Sequence, residues 1–428
     1  MRALDTVSPP SPCSRFVLVV GVVAGLAACV AAGACATTQV AAQAVQGPEL
    51  RVVAQPIGPD GLDVYDADTL FQRAIDFLEG GAWDDASLYF ERLIREFPDD
   101  KHVILAHYNR GVAYIHLERG DEAVAAFDKY LAMLPATSTG KDRLDGRFKR
   151  GQALAVAKRY QEVADLFDEL LGDDLEINDE IEALVDSGVG HYMLGIHEPD
   201  GNHRPTAEAR FLKARRLYKE ASERQRLDVG YFTAQAAFYL AELARIEFSE
   251  YQLKFPTQAE IKKATAEAAK HDPKGEAPSN VLEKLLGDQL EEKCQKLLRA
   301  QYAYLRTIRE GNAGWASASG YNVGQMYEQL HDELIDLPAP PDLGPDASAL
   351  YQKMVRKKVL ILLAKAEKTW SSNADMVTRT GAESEWAERT RQSLERIKRK
   401  LLQETASTVD VDDTGPAVAH TDNAKDAG

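Results

Sequence analysis

The sequence predicts an all-α protein in which a solenoid of helical repeats is followed by long helical hairpins. Two observations lead to this fold class. Small and aromatic residues recur at fixed offsets in the first half of the chain, which is typical of repeat architectures. In the second half, residues 281–310 and 346–376 are each long enough for a helix of ~45 Å. With 428 residues, of which 45% are hydrophobic and 28% charged, the chain has the composition of a globular protein.

The N-terminus has the pattern of an export signal. Arg2 and Arg15 precede an uncharged apolar run over residues 16–35. A basic segment followed by an apolar run is typical of exported proteins. Within the run, Leu26-Ala27-Ala28-Cys29 resembles the lipobox of bacterial lipoproteins, in which the cysteine is lipidated and becomes the mature N-terminus. This resemblance implies lipidation at Cys29. Cys35, in Ala32-Gly33-Ala34-Cys35, is a second candidate.

Two alternatives to the lipoprotein interpretation stay open. The apolar run is long enough to span ~30 Å of hydrocarbon as an uncleaved anchor, and Ala42-Gln43-Ala44 could be an ordinary cleavage site that releases a soluble protein. In all three cases the basic flank stays inside and the rest of the chain is exported. We expect residues 1–35 to be a signal peptide with lipobox or a membrane anchor, and residues 36–60 a flexible tether. The expected location is the cell envelope, facing the periplasm: lipid-anchored to the outer membrane, or else inner-membrane anchored or soluble.

Five positions at offsets 0, 3, 12, 16 and 24 carry the repeat. A small residue at offset 0 lets the second helix of a pair approach the first, and the other apolar positions fill the seam between them. The proline at offset 24 ends the second helix, because it cannot continue the hydrogen-bond ladder. The first two units match at all five positions, and the third has Leu175 in place of the proline. The units are Ala74, Phe77, Ala86, Phe90 and Pro98; then Gly111, Tyr114, Ala123, Phe127 and Pro135; then Gly151, Leu154, Val163 and Phe167.

This pattern resembles the tetratricopeptide repeat (TPR), and together with the N-terminus it resembles exported bacterial TPR lipoproteins. The resemblance implies a TPR-type solenoid of stacked helix pairs, which we place at residues 61–223. Tyr192 belongs to a degenerate fourth unit, whose second helix carries Ala207, Phe211 and Ala214 after an enlarged turn at Gly195–Thr206.

Longer helices are predicted after the repeats. Residues 224–404 are expected to form a separate helical domain, and residues 405–428, which lack apolar periodicity, a disordered acidic tail. The predicted helices cover 229–255, 281–310, 313–336, 346–376 and 382–403. A faint duplication supports two long hairpins: Gly311 precedes Trp315, and Gly381 precedes Trp386.

Charge argues against nucleic acid as a partner. The net charge is −16, whereas a duplex-binding protein needs basic surface to replace counterions. Residues 60–200 contain 31 acidic and 14 basic side chains, and residues 201–404 contain 29 and 33. An acidic groove in the first half would suit a partner with basic and apolar residues.

Sequence signatures of catalysis are missing. No GxSxG, HExxH, GxGxxG, CxxC or Walker loop occurs in the sequence. One polar cluster has residue types that suit a divalent metal, although its position in a Gly/Pro/Asn loop favours an ordinary enlarged turn. We therefore predict a protein that is not an enzyme and that holds neither a cofactor nor a metal. The members of that cluster are His191, His197, Glu198, Asp200 and His203.

The predicted function is a protein–protein interaction scaffold of the bacterial cell envelope, which binds a peptide or partner domain in the concave TPR groove. The aromatic residues among the groove positions could instead only fill the solenoid. The alternative function is an envelope enzyme with its active site in the unfamiliar C-terminal half. In the family's register, the inward-facing first-helix positions are Phe71, Ile75, Tyr108, Asn109, Val112, Phe148 and Gln152.

Overall fold

A computed structural model describes residues 53–56, 62–199, 201–225, 227–271, 278–340 and 343–408. Within these ranges the chain forms fourteen α-helices and one short antiparallel hairpin, so the all-α prediction is confirmed apart from the hairpin. The predicted signal segment 1–35 and residues 409–428 of the predicted tail lie outside the described ranges. The chain divides into two compact units, residues 1–163 (unit 1) and residues 164–428 (unit 2).

Unit 1 begins with a hairpin that sequence analysis did not predict. Strand β1 (Val53–Pro56) pairs with β2 (Leu62–Tyr65), with Val53 opposite Tyr65. The prediction of a flexible tether over residues 36–60 is therefore wrong where β1 lies. Leu62-Asp63-Val64-Tyr65 contains a single polar residue among apolar and aromatic ones, so the alternation that is typical of a strand is too short to indicate one.

Helix pairs follow in unit 1. The first pair is α1 (Ala67–Glu79) and α2 (Trp83–Glu96), and the second is α3 (Val103–His116) and α4 (Gly120–Met133). Helix α5 (Gly140–Val156) leads into α6 (Tyr160–Leu170), and the division between the two units falls within α6. Asp66 caps α1 by accepting a hydrogen bond from the Thr69 amide at 2.8 Å. The repeat positions fill the seams as predicted, and the fully buried ones are Ala74, Ala86, Phe90, Ala123, Phe127 and Leu154.

Unit 2 continues the same construction with longer helices. Its helices are α7 (Ile177–His197), α8 (His203–Ser222), α9 (Gly230–Glu250), α10 (Gln258–His271), α11 (Pro278–Arg309), α12 (Ala313–Asp336), α13 (Pro345–Thr380) and α14 (Glu385–Ser407). Helix α9 contacts α7 and α12, and α12 contacts α14. These four helices therefore follow one another as the first helices of successive repeats, while α8, α11 and α13 are the second helices. Helix α7 ends at His197 and α8 begins at His203, so both helices extend into the predicted enlarged turn Gly195–Thr206.

Two long helices of unit 2 end in the same way. Helix α11 is followed by Gly311 (φ 80°), and α13 by Gly381 (φ 65°), both in the left-handed region that favours glycine. Asn312 then caps α12 and Ser384 caps α14 through side-chain oxygens that accept backbone N–H groups. Trp315 and Trp386 follow, both buried. The predicted duplication is thus two equivalent hairpin turns.

Polar contacts specify how the later helices pack. Glu242 of α9 is fully buried and accepts hydrogen bonds from Tyr192, Tyr304, Asn322 (2.6 Å) and Arg245 (2.7 Å). Every one of these donors lies on a helix packed around it or on α9 itself, so the carboxylate is well compensated. Elsewhere on α12, Glu328 pairs with Arg396 and Lys400 of α14 (Lys400 at 3.2 Å), which fixes the last helix.

Candidate protein-binding site

The predicted groove residues lie on the first helices of unit 1. Phe71 and Ile75 are on α1, Phe148 and Gln152 on α5, and the remaining three on α3. Helix α3 contacts both α1 and α5, so these three helices form a continuous surface, which we call the first-helix face. All seven residues are partly exposed except Phe148, which is buried at 6% exposure. The remaining three are Tyr108, Asn109 and Val112.

The centre of the first-helix face is an apolar and amide stripe on α3. Leu105, Asn109 and Val112 are spaced at i, i+4 and i+7, which places them on one side of the helix. Leu105 is 48% exposed, a high value for a leucine in a packed repeat, and sequence analysis did not single it out. Its equivalents in the neighbouring repeats are Asp68 and Asp145, 37 residues before and 40 residues after it. The repeat spacing was the signal that could have found it.

The aromatic residues of the face serve chiefly to join helices. Phe71 stacks on His102 with ring centroids 4.4 Å apart and meets Phe90 edge to face at 6.0 Å. Tyr108 packs edge to face on Phe127 (5.6 Å) and Tyr130 (5.1 Å). Such pairs stabilise by about 0.5–1.5 kcal/mol beyond their burial. The exposed edges of these rings therefore border the stripe, while their bodies belong to the core.

Two carboxylates flank the stripe. Asp68 accepts contacts from Lys101 (3.1 Å) and from Nε2 of His102 (2.6 Å), and these two partners hold the pKa of its carboxyl below the usual value. Asp145 accepts a hydrogen bond from the Tyr108 hydroxyl at 2.6 Å. Burial, with the charge of Asp145, raises the pKa of Tyr108 well above the usual value, so the hydroxyl stays a donor. The stripe thus has a polar rim on both sides.

The negative charge is not concentrated on this face. Residues 60–163 contain 19 acidic and 14 basic side chains, whereas residues 164–200 contain twelve acidic and no basic ones. The acidic excess that sequence analysis assigned to the groove therefore belongs mainly to α6, α7 and the loop between them. Helix α8 neutralises part of it, because Arg210 pairs with Asp168 at 2.9 Å and Lys213 with Glu180 at 2.8 Å.

The polar cluster near the α7–α8 turn is only partly brought together. His191 and His203 meet, whereas His197 is the last residue of α7 and Asp200 lies outside the described residues. In the part of the chain that the structure describes, no group of three or more His, Cys, Asp or Glu side chains could hold a metal ion. Asp168 of α6, which sequence analysis did not associate with these histidines, completes the cluster through space.

One histidine is buried among the described side chains of the C-terminal half. His331 of α12 is almost fully buried, and its Nδ1 lies 2.8 Å from Asp332 Oδ1. The side chain of His271 is not among those described. Cys294 of α11 is half-buried, and burial raises the pKa of its thiol, which opposes thiolate reactivity.

The N-terminal sites are not covered by the structure. Cys29 and Cys35 lie outside the described residues, so lipidation stays a prediction. Among the helices that are described, none combines the length and apolar character that a membrane crossing requires.

The chain was compared with protein families, curated proteins and solved structures. A family model described as tetratricopeptide repeat matches residues 71–138, which is α2, α3, α4 and most of α1. No curated protein matches the chain. Among solved structures, the chain is similar to MamA (MSR-1 C2), with 25% identity over 35% of this chain and 79% of that one and a TM-score of 0.27. It is also similar to a tetratricopeptide repeat protein from Parabacteroides merdae, with 16% identity over 79% of this chain and 98% of that one and a TM-score of 0.35. A third similar structure is the TPR domain of P58(IPK), with 14% identity over 80% of this chain and 99% of that one and a TM-score of 0.24.

Proposed function

We propose that this tetratricopeptide repeat protein is a non-enzymatic interaction scaffold that binds a peptide or partner domain on the first-helix face of unit 1. Tetratricopeptide repeats generally mediate protein–protein interaction. The observation that carries the proposal is the exposed stripe of Leu105, Asn109 and Val112 in the middle of this face. About half of the Leu105 side chain is exposed and available to a partner.

The stripe has the chemistry of a peptide contact. Burying the exposed part of Leu105 and Val112 contributes roughly 25 cal/mol for each Å² of apolar surface removed from water. The amide of Asn109 offers both a donor and an acceptor, so it can bond an extended backbone laid along the helix. The face therefore suits a segment with an apolar side chain that is seated between Asp68 and Asp145.

The charge expected of the partner follows from the two carboxylates beside the stripe rather than from the net charge of the whole chain. Asp68 already has two basic neighbours, Lys101 and His102, whereas the contact described for Asp145 is with the Tyr108 hydroxyl. A basic side chain of the partner would therefore find its counterion at Asp145, on the α5 side. Such rim pairs contribute more to association rate and specificity than to affinity, and we expect the apolar contact at Leu105 to govern dissociation.

A binding comparison with a matched control tests this site. Once a partner has been isolated, the double variant Leu105→Ala, Asn109→Ala should weaken binding at least tenfold. The control is Leu88→Ala, which removes a leucine that is 52% exposed from α2, a second helix. Equal affinity of the double variant and the wild type, with unchanged helicity, would contradict the proposal.

We further propose that the scaffold works in the bacterial cell envelope and is lipidated at Cys29. The Leu26–Cys29 match and the basic flank of the apolar run support this address. Metabolic labelling with a fatty-acid probe should label the wild type and not Cys29→Ser, with Cys35→Ser as the matched control. Label that is lost only in Cys35→Ser, or label in neither background, would contradict lipidation at Cys29.

A further inference from the structure

Unit 2 brings two imidazole rings together between the last turns of α7 and the start of α8. Nδ1 of His191 lies 3.0 Å from Nδ1 of His203. The rings are stacked, with centroids 5.3 Å apart and planes 28° apart. Their side chains are 12% and 23% exposed, so both rings are largely buried but not sealed from solvent. The sequence alone predicts an ordinary turn here.

The carboxylate of Asp168 determines which nitrogen of the His191 ring carries a hydrogen. Oδ2 of Asp168 lies 3.1 Å from Nε2 of His191, while its Oδ1 accepts hydrogen bonds from Ser187 (2.6 Å) and Arg210 (2.9 Å). An ionised carboxylate only accepts hydrogen bonds, so Nε2 of His191 must carry the hydrogen. In the neutral ring, Nδ1 then has a lone pair that points toward His203.

The second ring has a carboxylate nearby, although beyond hydrogen-bond distance. Nε2 of His203 faces Oε2 of Glu198 at 3.9 Å. The neutral His203 ring therefore has two possible tautomers. With the hydrogen on Nδ1, it donates a hydrogen bond to Nδ1 of His191; with the hydrogen on Nε2, its Nδ1 presents a second lone pair. In the second state two lone pairs converge, each on a ring whose other nitrogen faces a carboxylate.

The turn that sets this distance is tightly built. A Cβ at Gly195 would stand 2.6 Å from Cγ of Arg204, so glycine allows the start of α8 to lie against α7. Arg204 donates to the Gly195 carbonyl (2.8 Å) and forms a double ion pair with Glu250 of α9 (2.9 and 2.7 Å). The position of His203 over His191 therefore follows from packed neighbours on three helices.

We propose that His191 and His203 form an open, two-imidazole site for a divalent transition-metal ion, of which Ni²⁺ and Cu²⁺ fit best. Metal–imidazole bonds are about 2.0–2.1 Å long, so nitrogens 3.0 Å apart subtend roughly 90° at a shared ion. That is the angle between adjacent ligands in the square-planar and octahedral geometries of Cu²⁺ and Ni²⁺, and not the tetrahedral angle of Zn²⁺. Asp168, which lies behind His191 at 3.1 Å, is the usual second partner of a metal-binding histidine. Water or a partner's side chain would fill the remaining positions.

Calorimetric titration of the untagged protein with NiCl₂ near neutral pH tests the site. We expect one ion per chain. Binding should be lost in His191→Ala and in His203→Asn. The matched control His197→Ala, at the end of the same helix, should leave it unchanged. Helicity measured by circular dichroism checks that each variant is folded. No binding by the wild type, or wild-type affinity in either folded variant, would overturn the proposal.

Two further measurements separate a built site from adventitious binding to surface histidines. Asp168→Asn should weaken Ni²⁺ binding by about 10–100-fold, as expected when the partner of a ligating histidine is removed. Electron paramagnetic resonance of the Cu²⁺-loaded protein should show coupling to two imidazole nitrogens. Coupling to one nitrogen or none, or an unchanged affinity in Asp168→Asn, would contradict the two-imidazole site.

Discussion

The ring of Phe127 lies so close to Gly111 that a methyl group at position 111 would stand 2.7 Å from its Cζ atom. The same relationship joins Gly188 to Phe211, where the corresponding distance is 2.5 Å. Each pair connects the two helices of one repeat, α3 to α4 and α7 to α8. A missing side chain on the first helix and an aromatic ring on the second thus set the helix spacing in both units.

Replacing Gly111 by alanine should therefore destabilise the protein although alanine favours helix. The change gains up to about 1 kcal/mol of helix propensity but forces a buried ring to move, at a cost of about 1–3 kcal/mol. We expect a net loss, measured by chemical denaturation. Gly287→Ala is the matched control, because Gly287 lies within α11 with open space around it. That variant should gain stability, and a gain in both would mean that Phe127 does not constrain the spacing.

Tryptophan at the fully buried alanines of the seam should have a larger effect of the same kind. Ala86→Trp and Ala123→Trp each insert a large ring where the second helix touches the first. Each should lower the free energy of unfolding by about 1–3 kcal/mol. Thermal unfolding followed by circular dichroism measures this, and neutral results at both positions would refute the assigned seam.

The buried carboxylate of Glu242 is expected to be the most sensitive single position of unit 2. Glu242→Ala leaves Arg245 and the hydroxyls of Tyr192 and Tyr304 without their acceptor, and breaking such a pair costs about 3–5 kcal/mol. Glu247→Ala removes a carboxylate on the same helix whose pair with Arg299 is exposed, and should cost less than about 1 kcal/mol. Comparable losses in the two variants would contradict the role assigned to Glu242.

Alkaline pH should weaken unit 1 through Tyr130. Burial, with the nearby charges of Asp142 and Asp145, raises the pKa of Tyr130 from 10.0 to about 12. The folded state thus holds this proton more tightly than the unfolded state, so its contribution is complete below pH 10 and is lost as the pH rises toward 12. Chemical denaturation at a series of pH values measures this loss. Between pH 10 and pH 12 the free energy of unfolding should fall by about 1–3 kcal/mol less in Tyr130→Phe than in the wild type. The control Tyr302→Phe changes an exposed ring, and an alkaline loss in Tyr130→Phe as large as that of wild type would contradict the assignment.

Local sequence patterns predicted most of the helices because their causes are local. Pro98 and Pro135 follow the ends of α2 and α4, and helix α12 has the predicted bounds 313–336. Helix α10 was missed because its narrow apolar side of Ile261 and Ala264 resembles a solvated segment. The hairpin of β1 and β2 was missed because a four-residue strand carries little periodicity.

The binding features that escaped prediction depend on distance in space. The repeat spacing assigns Leu105 to the same position as Asp68 and Asp145, but how much of its side chain is exposed depends on how α3 lies between α1 and α5. The contact of Asp168 with His191 joins residues 23 positions apart on different helices. Conversely, Phe148 was predicted from its register to face a partner, yet it is buried, because the register fixes the side of the helix and not how closely the neighbouring helix covers it.

Site-specific photocrosslinking tests the interaction face most directly, because it captures a partner in the cell before that partner has been isolated. A benzophenone amino acid would replace Leu105 on the first-helix face in one variant and Leu88 on α2 in another. Both are exposed leucines of unit 1. The account predicts a discrete protein adduct from position 105 that is lost when Asn109→Ala is added, and none from position 88. Adducts of equal yield from both positions, or an adduct from position 88 alone, would contradict it.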